Sequence, residues 1–465
     1  MSTIQQHLHS KVRLNSLLAL LSNISKTPTV SKAQKAFLFT YAYVAVSRII
    51  GDVTRGINKK ESTLEILNRI KYSLLRSLES DKLPQLFVRL IVFYPLSEYV
   101  ITRLFTAVMI PAHKLGKASR LVTIFTSGLV SSYYAHHLYI KAVIKRSPTL
   151  SIAKSRLENI SSEVTALVLS RALDTIIRKI LKSHAKVSQS TLRFYDAAQF
   201  TLSCFVIMFS WFFVPSKMQQ KYRQWITKMA NMDDDLVDAL RYIRTKELIY
   251  GENGAHSSML ETISVKYGLP KESGNTAKTV PIPCRLVHAN SFESCEKHAL
   301  WRFYRGMKTA SMVYLPLNIF LSLRQKEKLL PKILGIIKRT IRSSAFLASF
   351  IALNWYSVCL VRTRIGPKLF PNATAQQLDD TWGPALGSFL CGFSIMFEEV
   401  KRRTELALFV FAKATSILLP TDLGSNKMKL DSALFSISLA TLITFAKSDP
   451  SAVSGFFGYF LQGMY

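Results

Sequence analysis

Apolar residues along this chain gather into charge-free windows bounded by Lys or Arg, each long enough or nearly long enough to cross about 30 Å of hydrocarbon as a helix. The longest unbroken windows are Leu121 to Ile140 between Arg120 and Lys141, Ala197 to Ser216 between Asp196 and Lys217, and Ser343 to Val361 between Arg342 and Arg362. Shorter or interrupted ones are Phe37 to Ile50, Leu86 to Ile110, Val164 to Ile177, Thr309 to Leu323, Thr381 to Phe397, Glu405 to Leu419, Ser432 to Ala446 and Pro450 to Tyr465. Together they predict an all-α fold, a polytopic integral membrane protein with roughly eight to ten membrane helices, several of them short or tilted.

Between the windows lies one long polar stretch, Lys217 to Lys308, whose middle, Gly251 to Pro283, is rich in Gly, Ser, Pro and Thr and reads as a linker. The flanking halves look related. A shift of 235 positions superposes Glu163, Ala172 and Leu173 on Glu398, Ala407 and Leu408, and Asp196, Ala198, Phe200 and Ser203 on Asp431, Ala433, Phe435 and Ser438. It also brings Pro215-Ser216 onto Pro450-Ser451 without a gap. The expected organisation is therefore a basic amphipathic segment over 1–35, a first membrane half over 36–216, a polar helical segment and linker over 217–283, and a second membrane half over 284–465.

Composition sharpens the picture. Only 19% of residues are charged against 49% hydrophobic, and 61 Lys and Arg outnumber 29 Asp and Glu by 32. The basic surplus sits at window ends, as in Lys141, Lys145 and Arg146, so the bilayer and anionic lipid headgroups are the expected partners, and nucleic acid is not. Protein partners or a homo-oligomer are compatible with such a surface. No acidic residue precedes Asp52, and Leu14, Leu17, Leu18 and Leu21 form one apolar stripe, which suits either an organelle-directing segment or an interfacial helix. Five cysteines are too few for a disulfide scaffold.

Cys284, His288, Cys295 and His298 form C-x3-H-x6-C-x2-H, four borderline-soft donors within fifteen residues. Such a set suits tetrahedral zinc; a Cys284 to Cys295 disulfide and plain packing at the membrane boundary are the alternatives. Cys204, Cys359 and Cys391, in apolar windows, read as core residues. His136 and His137 lie inside a window, where interhelical hydrogen bonds are the simplest use for them. Gly383, Gly387 and Cys391 recur every four residues, with Gly392 beside them, and let two helix backbones approach closely. Glu398 with Arg402 and Glu399 with Arg403 stand at i and i+4, either as a salt-bridge ladder capping a helix hairpin or as a polar patch lining a cavity for an anionic lipid or metabolite. No glycine-rich phosphate loop, G-x-S-x-G elbow or H-E-x-x-H pair occurs, so no enzymatic activity is expected.

Pro283-Cys284, His288, Ser294-Cys295, Phe303, Gly306, Tyr314-Leu315-Pro316 and, further on, Arg342-Ser343-Ser344, Cys359, Arg362, Gly387, Gly392, Glu398 and Arg402-Arg403 resemble the transmembrane protein 135 family over most of residues 230 to 420. The later part also resembles the mitochondrial preprotein translocase channel family. The resemblance implies a non-enzymatic multi-pass protein of the mitochondrial or peroxisomal membrane, influencing organelle organisation and lipid handling. The alternative is a carrier or channel for a lipid, acyl chain or small anion.

Overall fold

The computed structural model describes residues 28–453 apart from 60, 109–115, 148, 184–187, 231–232, 254–255, 324–327, 370 and 420–424, together with 458, 461 and 462. The amphipathic stripe at Leu14 to Leu21 lies outside the described residues. Among them the chain is all-helical. It divides into two compact units, residues 1–183 with 420–465, and residues 184–419.

Unit 1 comprises α1 (Pro28–Asn58), α2 (Thr63–Arg76), α3 (Leu83–Val108), α4 (Lys117–Lys145), α5 (Leu150–Ser183) and, from the far end of the chain, α15 (Ser425–Ser448). Local signals set some of these ends. Ser62 accepts from the Glu65 amide while the Glu65 carboxylate accepts from the Ser62 amide, a reciprocal cap that starts α2. α1 packs on α3, α3 on α4, and both α4 and α5 on α15. The core joins Leu90 and Tyr94 of α3, Ala135 and Tyr139 of α4 and Val168 of α5 to Phe435 and Leu442 of α15.

Unit 2 comprises α6 (Gln189–Phe213), α7 (Gln220–Ala230), α8 (Asp234–Thr245), α9 (Ser257–Lys266), α10 (Cys284–Val287), α11 (Cys295–Ser322), α12 (Leu329–Leu360), α13 (Gly383–Leu390) continuing into a 3₁₀ stretch at Cys391–Phe397, and α14 (Val400–Leu418). α11 packs along α12, α12 on α13, and both α13 and α14 on α6. Phe200, Ile207 and Trp211 meet Phe346, Ile351 and Trp355 in its core.

Two sequence expectations change here. Residues 251–283 are folded into unit 2, because Leu260, Ile263 and Ile282 are buried in its core and Gly274 rests against the Leu260 carbonyl, where an added Cβ would come within 2.2 Å of the oxygen. Four helical stretches among the described residues are long and apolar enough to cross a membrane: Leu83–Ala107, Gln189–Phe213, Leu329–Leu369 and Met428–Ser448. That is fewer than the charge-free windows predict. α4 drops out because freedom from charge is not apolarity: Ser127, Ser131, Ser132 and His136 in its window are buried polar groups.

Candidate functional site

The Cys/His segment folds at the head of the α11–α12 pair. Ser294 caps α11 by accepting from the Lys297 amide at 3.3 Å, which puts Cys295 in the first turn. α11 and α12 are joined by a short connection and run back along each other at close range, with Gly306 so near α12 that an added Cβ would sit 3.0 Å from Ala348 Cα. The start of α11 therefore meets the end of α12, and Cys359, in the last turn of α12, reaches the segment. The Sγ atoms of Cys284, Cys295 and Cys359 all lie within 4.8 Å of one another, close enough to hold a metal ion. Cys359 is buried and the other two are half-buried.

His288 and His298 stack with ring centroids 4.1 Å apart but are used differently. His288 Nδ1 lies 2.9 Å from the Phe292 carbonyl, and its Nε2 lies 3.7 Å from Cys359 Sγ. His298 Nε2 accepts from Arg302 Nε at 2.8 Å, and its Nδ1 lies 3.3 Å from Ser291 Oγ. The expected quartet is thus corrected: Cys284 and Cys295 converge with Cys359, His288 approaches only Cys359 of the three, and both nitrogens of His298 are engaged elsewhere. A hydrogen bond from Cys359, aided by Arg362 and opposed by burial, brings the Cys284 thiol down to about 6. Cys359 also faces Cys295 and lowers its thiol, against burial. Burial, then the Arg302 guanidinium, pushes His298 down to about 3.

The glycines and charges near residue 390 are structural neighbours of α6 and α12. A Cβ on Gly387 would come within 2.6 Å of the Asn354 carbonyl oxygen, and one on Gly392 within 2.5 Å of Thr201 Cα; Gly383 lies against the Leu378 carbonyl. Glu398 is buried, accepting from Ser343 Oγ at 2.9 Å, with Arg402 3.5 Å away and also donating to Ser343 Oγ. The Arg403 guanidinium donates to the carbonyls of Met396 and Glu398, finishing the 3₁₀ stretch, rather than to the Glu399 carboxylate. In unit 1, His136 is fully buried and bonds across to α15 through Ser432 Oγ at 3.0 Å, its ring stacked on Phe435.

Unit 2 also holds an apolar cavity of about 300 Å³, lined mainly from α6, α7, α12 and α14 by residues such as Ile207, Met208, Tyr222, Phe350, Leu406 and Val410. Half-exposed Trp225 and Phe409 stand among its lining, and Asn354 is a buried polar member. Glu398, Arg402 and Arg403 do not line it. No window in the sequence marks this cavity, because its walls come from five separate helices, Tyr314 of α11 included. Cys359 was equally hidden, its only signal being a place at the polar end of its window, three residues before Arg362.

No protein-family model, curated protein or solved structure matches this chain.

Proposed function

We propose that this chain is a multi-pass membrane protein, in the mitochondrial or peroxisomal membrane, that takes one acyl chain of a lipid into the cavity of unit 2 and acts in organelle organisation and lipid handling without catalysing a reaction. The cavity carries the reading: about 300 Å³ with an almost wholly apolar lining suits a hydrocarbon chain, and two of its walls, α6 and α12, belong to span-length helices. Outward faces support a lipid environment. Met312, Val313, Phe320 and Leu321 of α11 and Leu330, Leu334, Ile337 and Ile341 of α12 are exposed, an apolar surface that water disfavours. The organelle and its biology come from the family resemblance alone.

The two units read as copies of one duplicated module that have exchanged their last helices. Subtracting 235 from the bounds of α15 and of the turn Pro450–Ala452 gives 190–213 and 215–217, against α6 at Gln189–Phe213 and the turn Pro215–Lys217. α14 maps to 165–183 and ends with α5. Each unit is then completed by the other copy's final helix.

A carrier for small anions is the weaker reading, since Glu398, Arg402 and Arg403 are occupied in capping and pairing. The test is photolabelling of purified protein with a phospholipid bearing a diazirine on its acyl chain. Labelled peptides should map to α6, α12 and α14, and Val410→Trp, which fills the cavity, should reduce labelling about tenfold. Undiminished labelling in that variant, or labelling confined to outer faces, would overturn the proposal.

A further inference from the structure

We propose that Cys284, Cys295, Cys359 and His288 form a tetrahedral zinc site, with three thiolates and His288 Nε2 as ligands and His298 excluded. Tetrahedral zinc with bonds of about 2.3 Å to sulfur and about 2.0 Å to nitrogen holds its sulfurs roughly 3.8 Å apart and sulfur and nitrogen roughly 3.5 Å apart. The three Sγ atoms, all within 4.8 Å, need to draw in by no more than about 1 Å; His288 Nε2 is already 3.7 Å from Cys359 Sγ but stands outside the three-thiol cluster, so its ring must swing toward Cys284 and Cys295 to become the fourth ligand.

The ring orientation is set for ligation. His288 Nδ1, facing the Phe292 carbonyl, donates its N–H there, which leaves the Nε2 lone pair toward Cys359 Sγ; metal-bound histidines are commonly held in this way through their other ring nitrogen. His298 offers no such lone pair, because Arg302 donates to its Nε2. A void of about 10 Å³, the size of one small ion or water, lies beside the thiols, lined by His288, His298, Cys295, Arg302 and Cys359 but not by Cys284. Charge also balances. Zinc with three thiolates and a neutral imidazole carries a net charge of −1; together with buried Asp379, the ion-pair partner of Arg362, it cancels the two buried guanidiniums Arg302 and Arg362, which lie within electrostatic range of the cysteines. Three thiolates with one imidazole favour zinc over the hard cations, which take oxygen. The ion would fasten the α10 turn and the start of α11 to the end of α12, a link between positions 359 − 295 = 64 residues apart.

Full-length protein purified in detergent without added metal should contain about one zinc per chain by elemental analysis. Cys359→Ser and His288→Ser should lower that at least tenfold, while His298→Gln and Cys204→Ser should retain it. Since the losing variants could fail by misfolding, unmodified protein exchanged into cobalt(II) gives a second readout: a tetrahedral spectrum with charge-transfer intensity for three thiolates. Absence of both zinc and a cobalt spectrum, a disulfide joining two of these cysteines in protein purified without reductant, or metal lost from His298→Gln but kept by Cys359→Ser would each overturn the assignment.

Discussion

The charges buried in unit 2 are costly unless each has a partner, and Arg362 with Asp379 is the clearest case. Both are buried and ion-paired; Arg362 also donates to the Ile282 carbonyl at 2.5 Å, and the Tyr250 hydroxyl donates to Asp379. Asp379→Asn leaves a guanidinium without its counter-charge and should destabilise the protein by about 3–5 kcal/mol, read as a lower denaturation midpoint in detergent. The double variant Arg362→Met with Asp379→Leu should recover most of that loss. At the other edge of the unit, Asp233 accepts from Lys266 at 2.6 Å and Tyr267 at 2.7 Å, tying the start of α8 to the end of α9. Burial opposes its charge, but those hydrogen bonds prevail and hold its pKa below the ordinary 3.8. A carboxylate depressed in the folded state stabilises above its unfolded pKa and loses that contribution as pH falls through the folded value. Unfolding midpoints should therefore drop in acid below about 3.8, whereas Asp233→Asn should be weaker at neutral pH and lack that part of the acid loss. At this scale the sequence was half legible. The C-x3-H-x6-C-x2-H spacing pointed to Cys284 and Cys295, two of the three clustered thiols, because neighbours in sequence are near in space. Cys359 could enter only once α11 and α12 were paired, and the disqualifying partner of His298, Arg302 one turn on, was in view but unread.

Among the helices, close approach through glycine is the recurring device. Gly392→Ala drives a methyl into Thr201 backbone and should cost about 1–3 kcal/mol, because the obstructing atom belongs to a helix that cannot move alone. Gly335→Ala, in α12, meets only the flexible end of Arg339 at 3.6 Å and should instead stabilise by about 0.5–1 kcal/mol. Thermal midpoints of the two variants in one detergent compare them directly; equal shifts would contradict the packing account. Helix positions were readable from hydropathy because window ends such as Arg120, Lys141, Lys217 and Arg342 carry a charge that stays exposed, with Arg362, buried against Asp379, the exception. Their depth was not, since α4 keeps its serines and His136 inside the bundle against α15. Likewise the Gly- and Ser-rich stretch after α8 looked like a tether although Leu260, Ile263 and Ile282 anchor it; three apolar residues spread over twenty-three positions make no periodic signal.

For the molecule as a whole, the sequence halves and the compact units divide at different places. The 235-residue shift detects related segments, but pairing across the chain decides which unit each helix joins: α6 belongs with residues 184–419 and α15 with residues 1–183. A chain ending at Leu419 lacks α15, so the face of α4 carrying Gly128, Ser131 and His136 loses its cover. Its steady-state level and protease resistance in unit 1 should fall severalfold, and co-expressed residues 420–465 should restore both. Restoration by an unrelated apolar helix would show that any hydrophobic cover suffices and would count against a specific fit.

The late position of α15 has a consequence for synthesis. Residues 184–419, which number 419 − 184 + 1 = 236, emerge between the body of unit 1 and the helix that closes it. At about 5–20 residues per second, that interval lasts roughly twelve to fifty seconds. Throughout it α4 waits with its serines and His136 uncovered, so a chaperone or insertion factor recognising that face would hold the unfinished chain until α15 arrives.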